Sequence, residues 1–235
     1  MKNKLKIQIY SDGADLKIIR NHIKKKNIKG FTTNPTLMKK SGIKEYSKFA
    51  KKCIQICRNK PISFEVISDN HEEMIRQAKI ISSWGKNVYV KIPIVNSKGK
   101  SSIPVLKILL EENIKCNITA IFTQSQISKI AKIVSPKSDL IISIFAGRIA
   151  DTGLDPSSLV MNAVQMFKRY KYCKILWASP REILNVIQAD NAGCHIITLT
   201  EDLMKKMSLF GKNLHQYSVE TSRMFYKDSK NISFK

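Results

Sequence analysis

Eight short apolar segments recur along the chain, each followed by a turn and a stretch with helical spacing of apolar residues. The segments are rich in Ile and Val and continuously apolar, a pattern typical of parallel strands covered on their outer face. They are Lys6–Tyr10, Gly30–Thr33, Ile62–Ile67, Asn87–Ile92, Ile114–Ile121, Leu140–Phe145, Lys174–Ala178 and His195–Leu199. Eight β/α units in 235 residues predict an α/β protein, a single-domain (β/α)8 TIM barrel.

A doubly wound open sheet is the competing architecture, but no G-x-G-x-x-G segment follows any of the apolar runs. No linker rich in Pro, Gly or Ser divides the chain, so we expect one domain, with the barrel over residues 1–211 and a C-terminal helical extension over 212–235. A helix from Asn213 to Lys227 follows the last unit, and it either packs back across the barrel or docks on a neighbouring subunit. We expect a homo-oligomer, and the pattern leaves open which of the two the helix serves.

The one abnormal feature of the composition is charge, with 41 Lys and Arg against 18 Asp and Glu, a formal net charge of +23. Most basic residues fall on segments that we interpret as outer helices, without regularly spaced stacking aromatics or a nucleic-acid motif. We therefore expect no nucleic-acid partner, and attraction of small phosphorylated substrates is the favoured interpretation of the positive charge.

Five Cys, no secretory signal and no membrane-length apolar run favour a cytoplasmic protein without membrane association.

Polar residues stand at the ends of the predicted strands, where a barrel of this type carries its catalytic groups. Lys91 is the most informative, because it lies inside the apolar run Val88 to Pro93. Burial of an unpaired ammonium group is unfavourable, so the neutral amine is favoured there, and that amine can attack a carbonyl to form a Schiff base. The alternative for Lys91 is an internal ion pair with Glu65 or Asp12.

Glu65 and Asp12 are the candidate proton-transfer groups, because carboxylates are rarely buried without a partner or a role. Asn34 precedes Pro35 and could be explained by helix capping alone. Ser179 has the same alternative, because Ser179 to Glu182 has the form of a capping box, as does Thr123 to Gln126.

Arg181 beside Ser179, and Arg148 one strand away, would form a binding site for phosphate.

The four His are scattered at positions 22, 71, 195 and 215, without the spacing of metal ligands, so we expect no metal site.

Taken in order along the chain, these motifs make the sequence resemble the transaldolase family, in the short-chain group that also contains fructose 6-phosphate aldolases. The matching segments are Ser11-Asp12-Gly13-Ala14, Gly30-Phe31-Thr32-Thr33-Asn34-Pro35-Thr36-Leu37, Val90-Lys91-Ile92-Pro93, Asn117-Ile118-Thr119, Phe145-Ala146-Gly147-Arg148 and Ser179-Pro180-Arg181.

The resemblance implies a transaldolase, a class I aldol transferase of carbohydrate metabolism such as the pentose phosphate pathway, that acts on phosphorylated sugars and needs no metal or organic cofactor. It implies that Lys91 forms the Schiff base, that Asp12 is the acid/base at the bond being broken, and that Glu65 acts through a water molecule. The remaining implied residues orient that water and the sugar hydroxyls (Asn34, Asn117, Ser143 and Thr119, the last counted as catalytic), bind the substrate (Phe145) or hold the phosphate (Arg148, Ser179 and Arg181).

Two alternatives belong to other classes. A fructose 6-phosphate aldolase would share the lysine but typically has Gln at the position of Glu65 and Tyr at that of Phe145, and this chain has the transferase-like residue at both. A basic barrel that binds nucleic acid would not need the polar residues at the strand ends.

Overall fold

Eight parallel strands close into a barrel in which each strand pairs with its neighbours along the chain and β8 pairs with β1. This computed structural model describes residues 5–233, and it confirms the predicted (β/α)8 architecture. The strands are β1 (Gln8–Asp12), β2 (Ile28–Thr32), β3 (Ile62–Glu65), β4 (Val88–Pro93), β5 (Cys116–Ile121), β6 (Leu140–Ile144), β7 (Cys173–Trp177) and β8 (Ile196–Leu199).

Helices follow every strand and cover the outside of the barrel. They are α1 (Leu16–Ile23), α2 (Pro35–Lys40), α3 (Tyr46–Cys57), α4 (His71–Ser82), α5 (Ile103–Glu111), α6 (Gln124–Ala131), α7 (Ala146–Ala150), α8 (Ser157–Phe167), α9 (Leu184–Asn191), α10 (Glu201–Lys206) and α11 (Leu214–Ser229), with a 3₁₀ turn at Met207–Leu209. The capping box at Thr123 and Gln126 is present, because each side chain bonds the other's backbone N–H. The capping box predicted at Ser179 is absent, as described below.

Every predicted strand exists, but most ends differ by one or two residues. The run predicted from Ile62 to Ile67 pairs only as far as Glu65, and the run predicted from Gly30 begins at Ile28. Apolar residues continue into turns that are covered by helices, so an apolar run does not end where the backbone pairing ends.

Two apolar layers hold the barrel together. The larger lies between the sheet and the helices, and the smaller fills the barrel interior around Tyr10, Leu176 and Ile196. A Cβ on Gly30 would lie 2.5 Å from the Tyr10 ring. Because Gly30 has no side chain, the Tyr10 ring can pack against β2 inside the barrel.

The C-terminal helix α11 begins at Leu214, with the Asn213 side chain capping it, and contains no buried residue. It therefore lies on the surface, and the predicted division of the chain at residue 211 remains a prediction. None of the helices within residues 5–233 combines the length and the apolar character that a membrane crossing requires.

Candidate active site

A cavity of about 550 Å³ opens at the carboxyl ends of the barrel strands. All eleven residues that the sequence singled out line this one cavity. They are Asp12, Asn34, Glu65, Lys91, Asn117, Thr119, Ser143, Phe145, Arg148, Ser179 and Arg181. No group of three His, Cys, Asp or Glu side chains in the described part of the chain is arranged to hold a metal ion.

Lys91 projects into the cavity from β4 and is 7% exposed. Its Nζ donates to the backbone carbonyl of Thr33 at 2.9 Å and lies 3.1 Å from Oε2 of Glu65 on the neighbouring strand. The ion pair offered as the alternative for Lys91 is therefore present. The same geometry suits nucleophilic chemistry, because an adjacent carboxylate can accept the proton that the ammonium must lose before it attacks.

Asp12 ends β1 and lies half-buried beside this pair. Its Oδ1 accepts a hydrogen bond of 2.8 Å from the Thr32 hydroxyl, and its Oδ2 lies 3.5 Å from the amide nitrogen of Asn34. Burial raises the pKa of Asp12, while the Lys91 charge and the Thr32 hydrogen bond lower it and the Glu65 charge raises it. The net shift is upward, which is typical of a carboxyl group that takes and returns a proton near neutral pH.

Asn34 both caps a helix and lines the cavity. Its Oδ1 accepts from the backbone N–H of Leu37 at 2.9 Å, which caps α2. Its Nδ2 faces the cavity near Asp12. Capping fixes the side chain, so the amide group is held in one orientation toward the cavity.

Strands β5 and β6 contribute a network of neutral polar groups. Asn117 donates to the Ser63 hydroxyl at 3.0 Å and accepts from the Ser143 hydroxyl at 2.7 Å, so its side chain is held at both ends. The Thr119 hydroxyl is buried, with no protein partner among the described residues. Next to it, Ala120 has a φ of +57° where the β5–β6 register shifts. A buried hydroxyl without a partner is available to a substrate or a water molecule.

Phe145 lies at the start of α7 and forms an apolar wall of the cavity. Its ring packs against Phe122 with centroids 5.6 Å apart, and the Arg148 guanidinium lies 5.6 Å from its centroid on the cavity side. Arg148 is thereby held over the aromatic ring.

Ser179 does not cap a helix. Helix α9 begins five residues later at Leu184, and the Asn185 side chain accepts from the backbone N–H groups of Arg181 and Glu182 instead. Ser179 has a φ of +60°, and a Cβ on Gly147 would lie 1.6 Å from its carbonyl oxygen. The predicted capping box is wrong because the left-handed backbone at Ser179 turns the loop inward against α7, and this contact leaves Ser179 lining the cavity.

The Arg181 guanidinium is engaged by the carboxylate of Asp151 just after α7. Its Nε donates to Oδ1 at 2.9 Å and its Nη2 to Oδ2. These hydrogen bonds hold the pKa of Asp151 below its usual range. A carboxylate held by two guanidinium nitrogens matches the way arginine binds phosphate. Asp151 is not among the residues predicted from the sequence.

Nine other residues line the cavity, and among them Thr32, Lys40, Leu176 and Thr198 were given no role from the sequence. Thr198 and Thr32 bond each other across 2.5 Å. Side chains alternate along a strand, so Thr198 lies on the same face of β8 as Ile196. This two-residue period could have predicted from the sequence that Thr198 faces the barrel interior. Lys40 ends α2, and in so basic a chain nothing distinguishes it from surface lysines.

Comparison with known proteins gives the assignment. The family described as transaldolase/fructose-6-phosphate aldolase matches residues 9–234. The chain belongs to that family. A "Probable transaldolase" of Herpetosiphon aurantiacus is 31% identical over 202 residues, covering 86% of this chain and 87% of that protein. Another from a Thermoanaerobacter species is 34% identical over 86% of this chain and 89% of that protein.

Among solved structures, a protein described as a putative lyase/mutase from Burkholderia cenocepacia has a similar fold. It superposes with a TM-score of 0.58 at 8% identity, over 98% of this chain and 85% of that chain. At that identity the likeness establishes the barrel fold alone. Family membership rests on the sequence matches, which cover every strand-end residue of the cavity from Asp12 to Arg181.

Proposed function

We propose that this transaldolase-family enzyme transfers a dihydroxyacetone unit from a ketose phosphate to an aldose phosphate through a Schiff base on Lys91. The observation that carries the proposal is the buried Lys91 amine, which lies 3.1 Å from Glu65 and on the wall of the cavity that all eleven predicted site residues line. A nucleophilic amine, a carboxylate beside it and a second carboxyl group with a raised pKa, Asp12, are the groups that Schiff-base aldol chemistry requires.

Imine formation uses Lys91 and Glu65. The Lys91 ammonium passes a proton to Glu65, and the neutral amine attacks the ketose carbonyl carbon to give a carbinolamine. Glu65 then returns the proton, directly or through a water molecule, to the departing hydroxyl, which leaves as water. The product is a protonated imine, which serves as the electron sink for the next step.

Carbon–carbon cleavage uses Asp12. The carboxylate takes the proton of the hydroxyl next to the bond that breaks, and the electron pair of that bond moves to the imine to form an enamine. An aldose phosphate leaves with the carbonyl that results. In the transfer half-reaction the enamine attacks the carbonyl of the incoming aldose phosphate, Asp12 returns its proton, and hydrolysis frees Lys91.

The neutral polar groups position the reactants. Asn117 and Ser143, bonded to each other at 2.7 Å, are placed to bind the hydroxyls of the retained three-carbon unit. The unpartnered Thr119 hydroxyl and the capped Asn34 amide are suited to hold the water that Glu65 uses. Phe145 forms the apolar wall beside the sugar chain.

Phosphate recognition is assigned to Arg148, Ser179 and Arg181. The Arg181 guanidinium already holds a carboxylate with two nitrogens, and phosphate would replace or join that carboxylate. The excess of positive charge over the whole chain, +23, favours the approach of phosphorylated sugars.

The second candidate function is that of a fructose 6-phosphate aldolase, which releases free dihydroxyacetone. Glu65 and Phe145 favour transfer, because a carboxylate can cycle a proton for imine formation while Phe145 offers no additional hydroxyl. Fructose 6-phosphate should be turned over rapidly only when erythrose 4-phosphate is added, with sedoheptulose 7-phosphate and glyceraldehyde 3-phosphate as products. Equal rates with and without the acceptor would favour the aldolase.

The proposal also includes an oligomeric state and a cellular compartment for the protein. Helix α11 exposes Leu214, Met224 and Phe225 by 50% or more, and we propose that it mediates a homo-oligomer, to be measured by light scattering on the full chain and on a chain ending at residue 212. All five cysteines are buried thiols, which suits the reducing cytoplasm that we propose.

A further inference from the structure

Three side chains from three adjacent strands form a hydrogen-bonded chain in the wall of the cavity. The Thr198 hydroxyl on β8 lies 2.5 Å from the Thr32 hydroxyl on β2, and Thr32 donates to Oδ1 of Asp12 on β1 at 2.8 Å. Thr198 is 5% exposed and Thr32 is 3% exposed. Strand β1 pairs with both β2 and β8, which brings the two hydroxyls together beneath the carboxyl group of Asp12.

The direction of these hydrogen bonds follows from counting protons. A threonine hydroxyl has one hydrogen, and that of Thr32 is given to Asp12. Thr198 must therefore donate to Thr32, and the order is Thr198 to Thr32 to Asp12. Both threonines are β-branched and buried, which restricts their χ1 rotation and keeps the chain in one orientation.

We infer that Thr198 is a positioning residue for Asp12, acting through Thr32, and that this chain holds Oδ1 so that Oδ2 is the oxygen that exchanges protons with the substrate. The inference rests on the acid/base role proposed for Asp12. Oδ2 makes only a long contact of 3.5 Å, to the Asn34 amide, so it is the less engaged oxygen and the one more open to a substrate hydroxyl. Thr198 touches Thr32 rather than the reacting atoms, and its effect is on the orientation and acidity of the carboxyl group.

The surroundings of Asp12 determine the direction in which its pKa should move when the Thr198 hydroxyl is lost. The charged groups that bear on it are Lys91 on β4, which lowers its pKa, and Glu65 on β3, which raises it. Lys40, Arg148 and Arg181 line the same cavity. Burial raises the pKa most, and the hydrogen bond from Thr32 opposes burial. Hydrogen bonds in a chain polarise one another, so loss of the Thr198 hydroxyl weakens the Thr32 bond and raises the pKa of Asp12 further.

The test compares Thr198→Val, which keeps the shape of the side chain and removes the hydroxyl, with Thr198→Ser, which keeps the hydroxyl. We expect Thr198→Val to lower kcat by up to about 10-fold with little change in KM, which corresponds to the upper end of what one neutral hydrogen bond contributes, and to move the acid limb of the kcat–pH profile to higher pH. Thr198→Ser should restore both. Carbon-13 NMR of the Asp12 carboxyl carbon, assigned with Asp12→Asn, should report a higher pKa in Thr198→Val without substrate.

Two results would overturn the inference: an unmoved acid limb and Asp12 resonance in a folded Thr198→Val protein, or equal losses in Thr198→Ser and Thr198→Val. Equal losses would mean that the methyl group, and hence packing, is what matters. Thermal unfolding of each variant establishes folding, and Thr32→Val, which removes the middle of the chain, gives an independent second test with the same expected shifts. Borohydride trapping of a sugar on Lys91 tests the proposed function separately, because it should remain positive in every one of these variants.

Discussion

Replacement of Gly147 by Ala tests whether the loop after β7 and helix α7 form the phosphate site by direct backbone contact. A Cβ at this position would lie 1.6 Å from the Ser179 carbonyl oxygen, 2.7 Å from its carbonyl carbon and 3.4 Å from Cγ of Arg181. Observed Cβ contacts essentially never fall below 3.0 Å, so the loop must retreat by about 1.4 Å. That displacement carries Ser179 and Arg181 away from Arg148.

The size of the expected loss in kcat/KM follows from this displacement of the loop after β7. Misplacement of binding groups by about 1 Å reduces the rate roughly 100-fold, so we expect kcat/KM for fructose 6-phosphate to fall by about two orders of magnitude. The effect on unphosphorylated dihydroxyacetone as donor should be much smaller. Without a clash, Gly→Ala inside a helix would stabilise the protein by about 0.5–1 kcal/mol, whereas an overpacked contact destabilises it by about 1–3 kcal/mol.

The assays are steady-state kinetics with both donors and denaturant unfolding. Gly13→Ala is the steric control for stability, because a Cβ there meets nothing within 4 Å. A Gly147→Ala protein that is as stable as the control and keeps its KM for the phosphorylated donor would refute the proposed phosphate site.

Three further outcomes are expected. Asp12→Asn should abolish turnover yet raise the unfolding temperature at pH 7, because burial raises the pKa of Asp12 and its ionised form therefore destabilises the native state. This gain in unfolding temperature should disappear below about pH 4, where the carboxyl group is protonated in both the folded and the unfolded state. A gain that stays the same from about pH 7 to about pH 4 would contradict this prediction. Arg148→Ala and Arg181→Ala should each raise KM for phosphorylated sugars about 10- to 100-fold, as for a lost charge-assisted hydrogen bond, and equal losses with dihydroxyacetone would make them structural. Glu65→Gln combined with Phe145→Tyr should raise the ratio of dihydroxyacetone release to transfer, measured by product analysis, and a falling ratio would oppose the roles given to both residues.

Much of the fold could be predicted because buried parallel strands are apolar throughout and each is followed by a helix. The strand-end residues could be predicted for the same reason. A lysine such as Lys91 or a carboxylate such as Glu65 within or at the end of an apolar strand needs an explanation, and barrel topology brings all eight strand ends to one face.

The rest depends on contacts between distant segments, which local patterns do not contain. The left-handed backbone at Ser179 and Ala120 is uncommon for residues other than Gly, and the capping signature at Ser179 favoured a helix start that the loop does not form. The pairing of Arg181 with Asp151, and that of Thr32 with Thr198, joins residues 30 and 166 positions apart. The need for Gly147 becomes visible only when the Ser179 carbonyl is next to it.

The measurement that tests the central claim most directly is reduction of the enzyme with borohydride in the presence of fructose 6-phosphate, followed by peptide mass spectrometry. The chain contains many lysines, and among those in residues 5–233 Lys91 is the one buried in the cavity beside Glu65. We predict one three-carbon adduct per chain, located on Lys91 and absent from Lys91→Ala, with Lys40→Ala still labelled. An adduct on another lysine, or one that persists in Lys91→Ala, would contradict the account.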